Sequence, residues 1–349
     1  MYSFKNDYNE GAHPKILKAL MDTNFVQQEG YGADSYTDNA IKLIKSSIGR
    51  DDIDIHFISG GTQANLITID AFLKSYEACI SADTGHIAVH EAGAIECTGH
   101  KIITIKTKDG KITTNQIKEV LDYHEDEHFV KPKLVYISNS TELGTIYKKN
   151  ELKEISEFCK KNNLIFYLDG ARIGSAICSK ESDFSLADIC EYTDAFYIGG
   201  TKNGALMGEA IIIKNKELKK DFRYAIKQKG GLFAKGRVLG IQFEKLFEDG
   251  LYCELAIHAN KMAEKLKTEL LKMGISFLTE SSTNQIFPIL KNDLIERLLD
   301  KYSFYIYKKI DDNKSVVRLV TSWATREEYI NEFINEIKVS KSINISKLF

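Results

Sequence analysis

Short apolar runs typical of β-strands alternate with amphipathic stretches typical of helices through the first two thirds of this chain. Such alternation is characteristic of an α/β layer fold built on a mainly parallel sheet. The predicted strands are residues 53–59, 78–82, 101–106, 134–139, 164–169, 195–199 and 210–214. The predicted helices between them include residues 63–76, 114–122 and 149–162. Because ligands bind at the carboxyl ends of strands in such sheets, residues that follow these strands are candidates for a site.

The pattern changes near residue 237, where helical spacing of apolar residues predicts one long helix that ends near residue 272. Shorter segments follow, which is typical of a small α+β domain. They are predicted strands at residues 275–278, 284–290, 305–308 and 315–321, and helices at residues 294–299 and 327–339. For a chain of 349 residues we therefore expect a large domain over 1–240, with an N-terminal arm over 1–15, and a small domain over 241–349.

The composition argues against several classes of protein. The 47 basic and 49 acidic residues nearly balance, whereas a nucleic-acid-binding protein needs a strong basic excess. The six cysteines include no Cys-x-x-Cys pair, so their spacing matches neither a metal site nor a disulfide framework. The polar N-terminus is unlike a signal peptide, and no apolar run is long enough to cross a membrane. We expect a cytoplasmic protein with no metal, nucleic-acid or membrane partner.

A Gly-Gly-Thr turn, Gly60 to Thr62, follows the first of these predicted strands and precedes a helix. The glycines let backbone amides approach an anion, the helix N-terminus favours negative charge, and Thr62 adds a hydroxyl. The motif is weak alone, because a strand-to-helix turn with an N-cap threonine has the same sequence. With the residues described next, Gly61 and Thr62 are interpreted as a phosphate site.

Asp169 and Lys202 follow two later strands, each beside glycines. A carboxylate at the end of a buried strand is costly without a partner, and a protonated pyridine nitrogen is such a partner. Lys202 is either an exposed loop lysine or a lysine able to form a Schiff base, which burial favours by lowering its pKa. Arg172 either pairs with Asp169 or reaches the cofactor. Together with the phosphate turn, these residues predict an enzyme that uses pyridoxal 5′-phosphate.

His86 and Arg318 fit the same interpretation. His86 supplies a ring that can stack on the pyridine, and histidine moves protons near neutral pH. A metal site at His86, His90 and Glu91 is disfavoured, because the sequence is not His-Glu-x-x-His and no third ligand is evident. Arg318 lies inside an apolar strand, where it either extends to solvent or binds an anion such as the carboxylate of an amino-acid substrate.

Assembled in this order, the motifs resemble those of the threonine aldolases, in the β-eliminating lyase branch of fold-type I pyridoxal-phosphate enzymes. The specific part of the resemblance is the pair formed by Asp169-Gly170-Ala171-Arg172 and Gly199-Gly200-Thr201-Lys202-Asn203-Gly204. The other matching segments are residues 6–8, 10–14, 31–34, 60–62 and 84–87, and Arg318 with residues 321–323. The resemblance implies a large domain with a mostly parallel seven-stranded sheet and a small α+β C-terminal domain.

The resemblance also implies roles for individual residues. The expected catalytic residues are Lys202, which would form the Schiff base, Asp169, which would pair with the pyridine nitrogen, and His86, which would stack on the ring. The expected cofactor-binding residues are these three with Gly61, Thr62, Arg172, Tyr31 and Lys235. The expected substrate-binding residues are Arg318, Asn6 and Tyr31. Family members form homodimers or homotetramers with shared sites, so Tyr31 and Lys235 would reach the cofactor of a neighbouring subunit.

The implied reaction is cleavage of the Cα–Cβ bond of L-threonine or L-allo-threonine to glycine and acetaldehyde. One departure matters, because many members have a histidine about where Thr141 stands in this chain. The stereochemical preference and the base that acts on the β-hydroxyl therefore stay open, with a base near His86 as one choice. Alternatives are another pyridoxal-phosphate-dependent lyase, racemase or aminotransferase, or a non-catalytic binding protein that keeps the fold.

Overall fold

A seven-stranded sheet forms the centre of the computed structural model, which describes residues 1–346. The first strand of the chain, β1 (Tyr2–Ser3), lies outside this sheet. The strands of the sheet are β2 (Asp54–Ile58), β3 (Glu77–Ala82), β4 (Ile102–Ile105), β5 (Lys131–Ser138), β6 (Ile165–Asp169), β7 (Ala195–Gly199) and β8 (Glu209–Ile213). Across the sheet the order is β2-β8-β7-β6-β5-β3-β4, and β8 alone runs antiparallel to its neighbours. The predicted, mostly parallel seven-stranded sheet is confirmed.

Successive side chains on each strand pack on opposite faces of the sheet, as the pleat requires. On β5, Val135 and Ile137 belong to one apolar cluster, whereas Leu134 and Tyr136 belong to the other. Because both faces are buried, the strands are nearly continuous apolar runs, which explains why they are recognisable in the sequence. The helices of this part are α1 (Pro14–Asp22), α2 (Ser35–Ile48), α3 (Gly61–Phe72), α4 (His86–Val89), α5 (Thr114–Tyr123), α6 (Lys149–Lys161), α7 (Ile173–Ile177), α8 (Leu186–Tyr192), α9 (Lys216–Lys219), α10 (Phe222–Gln228) and α11 (Arg237–Phe247).

A smaller layer, built on a four-stranded antiparallel sheet and with its own apolar cluster, follows the large sheet. Its elements are α12 (Leu251–Lys272), β9 (Gln285–Ile286), β10 (Ile289–Lys291), α13 (Asn292–Leu299), β11 (Tyr302–Ser303), β12 (Tyr305–Lys309), β13 (Lys314–Val320) and α14 (Glu327–Ser346). The N-terminus joins this layer, because β1 pairs in parallel with β11 as a separate two-stranded sheet and Phe4 lies in the apolar cluster. The α+β character of the C-terminal part is confirmed, whereas the boundary near residue 240 stays a prediction.

Two predictions about the C-terminal elements are wrong. The single helix predicted from residue 237 to 272 is broken into α11 and α12, because Asp249 and Gly250 have φ angles of 53° and 74°. These left-handed values cannot continue a right-handed helix. The predicted strand at residues 275–278 is reduced to a single bridge between Phe277 and Pro288, and Pro288 also divides the strand predicted at 284–290 into β9 and β10.

Along the described part of the chain, none of the helices combines the length and apolarity needed to cross a membrane.

Candidate active site

A cavity of about 260 Å³ opens at the edge of the sheet where β2, β5, β6 and β7 end. The antiparallel β8 begins at the same edge, since Glu209 lies opposite both Ile58 and Gly199. Six of the residues predicted from the sequence line this cavity, and they are Gly61, Thr62, His86, Asp169, Arg172 and Lys202. The structure therefore brings together residues that lie at or after the carboxyl ends of β2, β3, β6 and β7.

Asp169 lies at the end of β6 with a nearly fully buried carboxylate. Its Oδ2 accepts hydrogen bonds from the Tyr136 hydroxyl at 2.6 Å and the Asn65 amide at 3.0 Å, and its Oδ1 accepts one from the Tyr197 hydroxyl at 2.5 Å. Burial acts to raise the pKa of Asp169, but the charge of His86 and these hydroxyl donors outweigh it and lower the pKa. Asp169 is thus a buried, ionised carboxylate that forms part of the cavity wall.

Arg172 does not brace Asp169. Its Nε donates to Oδ2 of Asp7 at 2.7 Å and its Nη2 donates to Oδ1 at 3.0 Å, which is a bidentate pair with the N-terminal arm. The Asn284 amide also donates to Asp7, at 2.9 Å. Burial acts to raise the pKa of Asp7, but the charges of Arg172 and Lys202 outweigh it and lower the pKa. The arm is therefore anchored beside the cavity.

Lys202 lies in the turn after β7, on the cavity wall. Burial and the charge of Arg172 lower the pKa of Lys202, and the carboxylates of Asp7, Asp169 and Glu209 oppose this only in part. A buried lysine whose amine gives up its proton more readily than usual is a suitable nucleophile toward a carbonyl group.

His86 is the first residue of α4, and its orientation is set by a carboxylate. Its Nδ1 lies 2.8 Å from Oε1 of Glu91, which also accepts a hydrogen bond from the Asn65 amide at 2.8 Å. The His90 ring stands 5.6 Å away from the His86 ring. Nowhere in residues 1–346 do three His, Cys, Asp or Glu side chains gather in a way that could hold a metal ion.

The Gly-Gly-Thr turn opens α3 at the cavity. Gly60 is the N-cap residue and Thr62 is the second residue of the helix, so the alternative of an N-cap threonine is wrong. A Cβ atom at Gly61 would lie 3.0 Å from the Tyr197 hydroxyl, which leaves little space for a side chain. The helix N-terminus, with Thr62 exposed beside it, presents backbone amides and a hydroxyl to the cavity.

Arg318 lies on β13, and neither it nor Asn6 is among the residues that line this cavity. Its Nη2 donates to the Lys5 carbonyl at 2.9 Å and to Oδ1 of Asn6 at 3.4 Å, and its guanidinium stands over the Tyr305 ring at 5.3 Å. Its Nε is buried and has no hydrogen-bond partner in the part of the chain that the structure describes. Burial and the charge of Arg172 lower the pKa of Arg318. An incompletely paired guanidinium of this kind is suited to bind an anion.

Tyr31 and Lys235 do not line the cavity of their own chain. They lie beside each other on an exposed surface, where the Tyr31 amide donates to the Ala234 carbonyl at 3.1 Å. Lys227 stands over the Tyr31 ring at 4.6 Å. A site within a single chain therefore does not contain them, and their predicted role depends on a second subunit.

Two carboxyl groups on the cavity wall, those of the buried Glu209 and the partly buried Glu142, were not predicted. Burial raises the pKa of Glu209 to about 8, and its Oε2 accepts the Gly200 amide at 3.1 Å. Burial also raises the pKa of Glu142, whose Oε1 accepts hydrogen bonds from Ser138 and from the His86 amide. Their only sequence signal is position, since Glu142 follows β5 closely and Glu209 begins β8.

The sequence and the structure of this chain are both similar to those of known enzymes. Residues 11–293 match the family described as Beta-eliminating lyase. A low specificity L-threonine aldolase from Pseudomonas sp. is 32% identical over 97% of this chain and 98% of its own length. A solved Leishmania major threonine aldolase is 49% identical, covers 97% of this chain and 99% of that one, and superposes with a TM-score of 0.96. A histidinol-phosphate aminotransferase from Clostridium acetobutylicum shares the fold, with a TM-score of 0.75 at 17% identity.

Proposed function

Because this chain belongs to the beta-eliminating lyase family, we propose that it is a pyridoxal-phosphate-dependent threonine aldolase. It cleaves the Cα–Cβ bond of L-threonine or L-allo-threonine and releases glycine and acetaldehyde. Relatives named as threonine aldolases match nearly its whole length, which supports the substrate class. The single observation that carries the proposal is that Lys202, with its lowered pKa, shares one cavity with the buried, ionised Asp169.

The residues of the cavity fit pyridoxal phosphate. Lys202 would hold its aldehyde carbon, Asp169 would pair with its protonated nitrogen, and His86 would face its ring. The amides at the start of α3, with Thr62, would bind its phosphate. Arg172 would help to bind the cofactor from the cavity wall while it stays paired with Asp7. When bound, the cofactor supplies an electron sink for the bond that breaks at the substrate Cα.

The choice of bond depends on how the substrate is held. Arg318 would bind the substrate carboxylate through its unpaired Nε, while Asn6 restrains the guanidinium through the 3.4 Å contact. A carboxylate fixed in this way would determine which of the bonds at the substrate Cα is aligned for cleavage. The same scaffold can therefore support elimination, transamination or racemisation when the substrate is held differently.

The proposal extends to assembly and location. The exposed surface that carries Tyr31 and Lys235 supports a homodimer or homotetramer in which these residues complete a neighbouring subunit's site. Six free cysteines are consistent with a reducing, cytoplasmic environment.

The test is release of acetaldehyde from L-threonine by the purified protein with added pyridoxal phosphate. Wild-type protein should release it together with an equal amount of glycine, and Lys202→Ala should release none above background. Lys118→Ala, at an exposed lysine paired with Asp122, is the matched control and should retain full activity. Release of pyruvate or another keto acid in place of acetaldehyde would indicate a different reaction. A Lys202→Ala protein that cleaves threonine at the wild-type rate would refute the proposal.

A further inference from the structure

The segment after β5 lacks the histidine that many threonine aldolases have there, and the structure shows what takes its place. Thr141, at about that position, is fully buried and does not line the cavity. Its hydroxyl is 2.7 Å from Oγ1 of Thr145 and 3.4 Å from the Asp109 carbonyl. Thr141 therefore stabilises the loop and does not contact a bound substrate.

Glu142, the next residue, lies on the cavity wall. Its Oε1 accepts a hydrogen bond from Oγ of Ser138 at 2.6 Å and another from the backbone amide of His86 at 3.0 Å. Two donors from separate segments thus fix one carboxylate oxygen. A carboxylate held this way beside a ligand cavity is placed to exchange a proton with the ligand.

A row of hydroxyl groups connects Glu142 with Asp169. The Ser138 hydroxyl is 2.6 Å from Glu142 and 3.4 Å from the Tyr136 hydroxyl, and Tyr136 donates to Asp169 at 2.6 Å. Ser138 has one hydrogen, which can be donated to Glu142 or to Tyr136 but not to both at once. A protonated Glu142 can itself donate to the Ser138 oxygen, which leaves the Ser138 hydrogen able to turn toward Tyr136. Ser138 can therefore adapt to both protonation states.

We propose that Glu142 is the general base that removes the proton of the substrate β-hydroxyl, and that Ser138 positions it. This inference rests on the aldolase function proposed above. The β-hydroxyl proton moves to the Glu142 carboxylate, the Cα–Cβ bond breaks, and the β-carbon becomes the aldehyde carbonyl. The electron pair of the broken bond stays with Cα, which takes up one proton to give glycine. Substrate and products balance without an oxidant or reductant.

The protonation state of Glu142 agrees with this role. Burial raises the pKa of Glu142 and the charge of Asp169 adds to the effect, while the Ser138 hydrogen bond and His86 oppose it. Activity should therefore fall as the pH falls through this raised pKa, because the base becomes protonated. The titratable and charged groups that act on or face Glu142 are His86, Asp169, Arg172, Tyr136, Tyr147 and Tyr307.

The experiment separates the base from the rest of the site by measuring two reactions of the holoenzyme. The first is threonine cleavage, and the second is exchange of a glycine Cα hydrogen in D₂O, followed by NMR. Glycine has no β-hydroxyl, so exchange requires the cofactor and Lys202 but no base at the β-oxygen. Glu142→Gln should slow cleavage by about 10² to 10⁴-fold, with exchange close to wild type. Glu127→Gln, at an exposed glutamate, should change neither reaction.

Ser138→Ala supplies an independent measurement if Glu142→Gln is poorly folded. Loss of its hydrogen bond destabilises the ionised Glu142 carboxylate, so the acidic limb of kcat/KM for threonine should move to higher pH while glycine exchange stays unchanged. Cleavage by Glu142→Gln at near the wild-type rate, an equal loss of both reactions, or an unshifted limb in Ser138→Ala would each overturn the assignment of Glu142. Wild-type protein that exchanges glycine but releases no acetaldehyde would instead refute the aldolase function itself, and the assignment of Glu142 with it.

Discussion

Arg172 and Asp7 form a bidentate ion pair across 165 positions of sequence, with contacts of 2.7 and 3.0 Å. The pair joins the end of β6 to the N-terminal arm, which continues into the small C-terminal layer through β1 and Phe4. Both members of the pair act on the pKa of Lys202, because the charge of Arg172 lowers this pKa and the charge of Asp7 raises it. The contact therefore makes the pKa of the proposed catalytic lysine depend on whether the N-terminal arm is in place.

Asp7→Asn should destabilise the protein strongly. Removing one partner of a buried ion pair leaves an uncompensated charge, and we expect the free energy of unfolding to fall by about 3 to 5 kcal/mol, measured by urea denaturation. Asp22→Asn is the control, because it breaks the exposed Lys18–Asp22 pair and should leave stability unchanged. An equal response of the two variants would contradict the importance of the buried pair.

The same pair makes a pH-dependent contribution to stability. Because the pKa of Asp7 is lowered in the folded state, this contribution is complete above the ordinary aspartate pKa. It is lost as the pH falls through the lowered value. The wild-type protein should therefore lose more stability in acid than Asp7→Asn, and parallel pH profiles would argue against this linkage.

Arg318→Lys should weaken substrate binding more than it slows chemistry. Lysine keeps the charge but cannot form the bidentate contact or use the Nε donor that is unpaired here. Loss of one charged hydrogen bond, worth about 1.5 to 3 kcal/mol, corresponds to a KM for threonine that rises roughly 10 to 100-fold. Steady-state kinetics measure this, with Arg326→Lys at an exposed arginine as the control. A large fall in kcat at unchanged KM would contradict the carboxylate-binding role.

The sheet could be predicted from sequence because its strands are buried on both faces. Residues 195–199 were predicted to the residue as β7, and the predicted strand at 164–169 differs from β6 by one position. The helices α1 and α2 were not predicted, although Pro14 begins one and the Asp34 side chain caps the other by accepting the Thr37 amide at 2.9 Å. These local signals lie outside the strand-and-helix alternation on which the prediction depended.

The convergence of residues on the cavity could be predicted for those at or just after a strand end, such as Asp169 and Lys202. It was not predictable where a partner comes from a distant segment. Nothing near Asp7 in the sequence indicates that it binds Arg172, and nothing near Glu142 indicates that its carboxyl group lines the cavity beside His86. Both facts arise only when the arm and the loop after β5 pack beside the cavity.

Glu209→Gln should change the pH dependence of stability. The folded-state pKa of Glu209 is raised to about 8. The contribution of protonated Glu209 to folding stability is therefore complete below the ordinary carboxyl pKa and is lost as the pH rises through the folded-state pKa. Glutamine keeps an acceptor for the Gly200 amide but does not ionise. Urea denaturation should show that the wild-type protein loses more stability than the variant between about pH 5 and pH 9. Identical slopes for the two proteins would contradict burial as the cause of the raised pKa.

Mixing inactive variants should reveal shared sites. We expect Lys202→Ala to be inactive and Lys235→Ala to bind the cofactor poorly, because Lys235 is proposed to serve a neighbouring subunit from the exposed surface it shares with Tyr31. A hybrid oligomer contains one site with both lysines, Lys202 from one chain and Lys235 from the other. Threonine cleavage should therefore reappear after the two variants are unfolded together and refolded.

The control for that experiment uses two residues of one cavity. Lys202→Ala mixed with Asp169→Asn should stay inactive, because both side chains line the cavity of the same chain and no hybrid site contains the pair. Native mass spectrometry confirms that the subunits have exchanged. If exchanged Lys202→Ala and Lys235→Ala subunits recover no activity, Lys235 does not act across an interface. Its exposed position beside Tyr31 would then require another explanation.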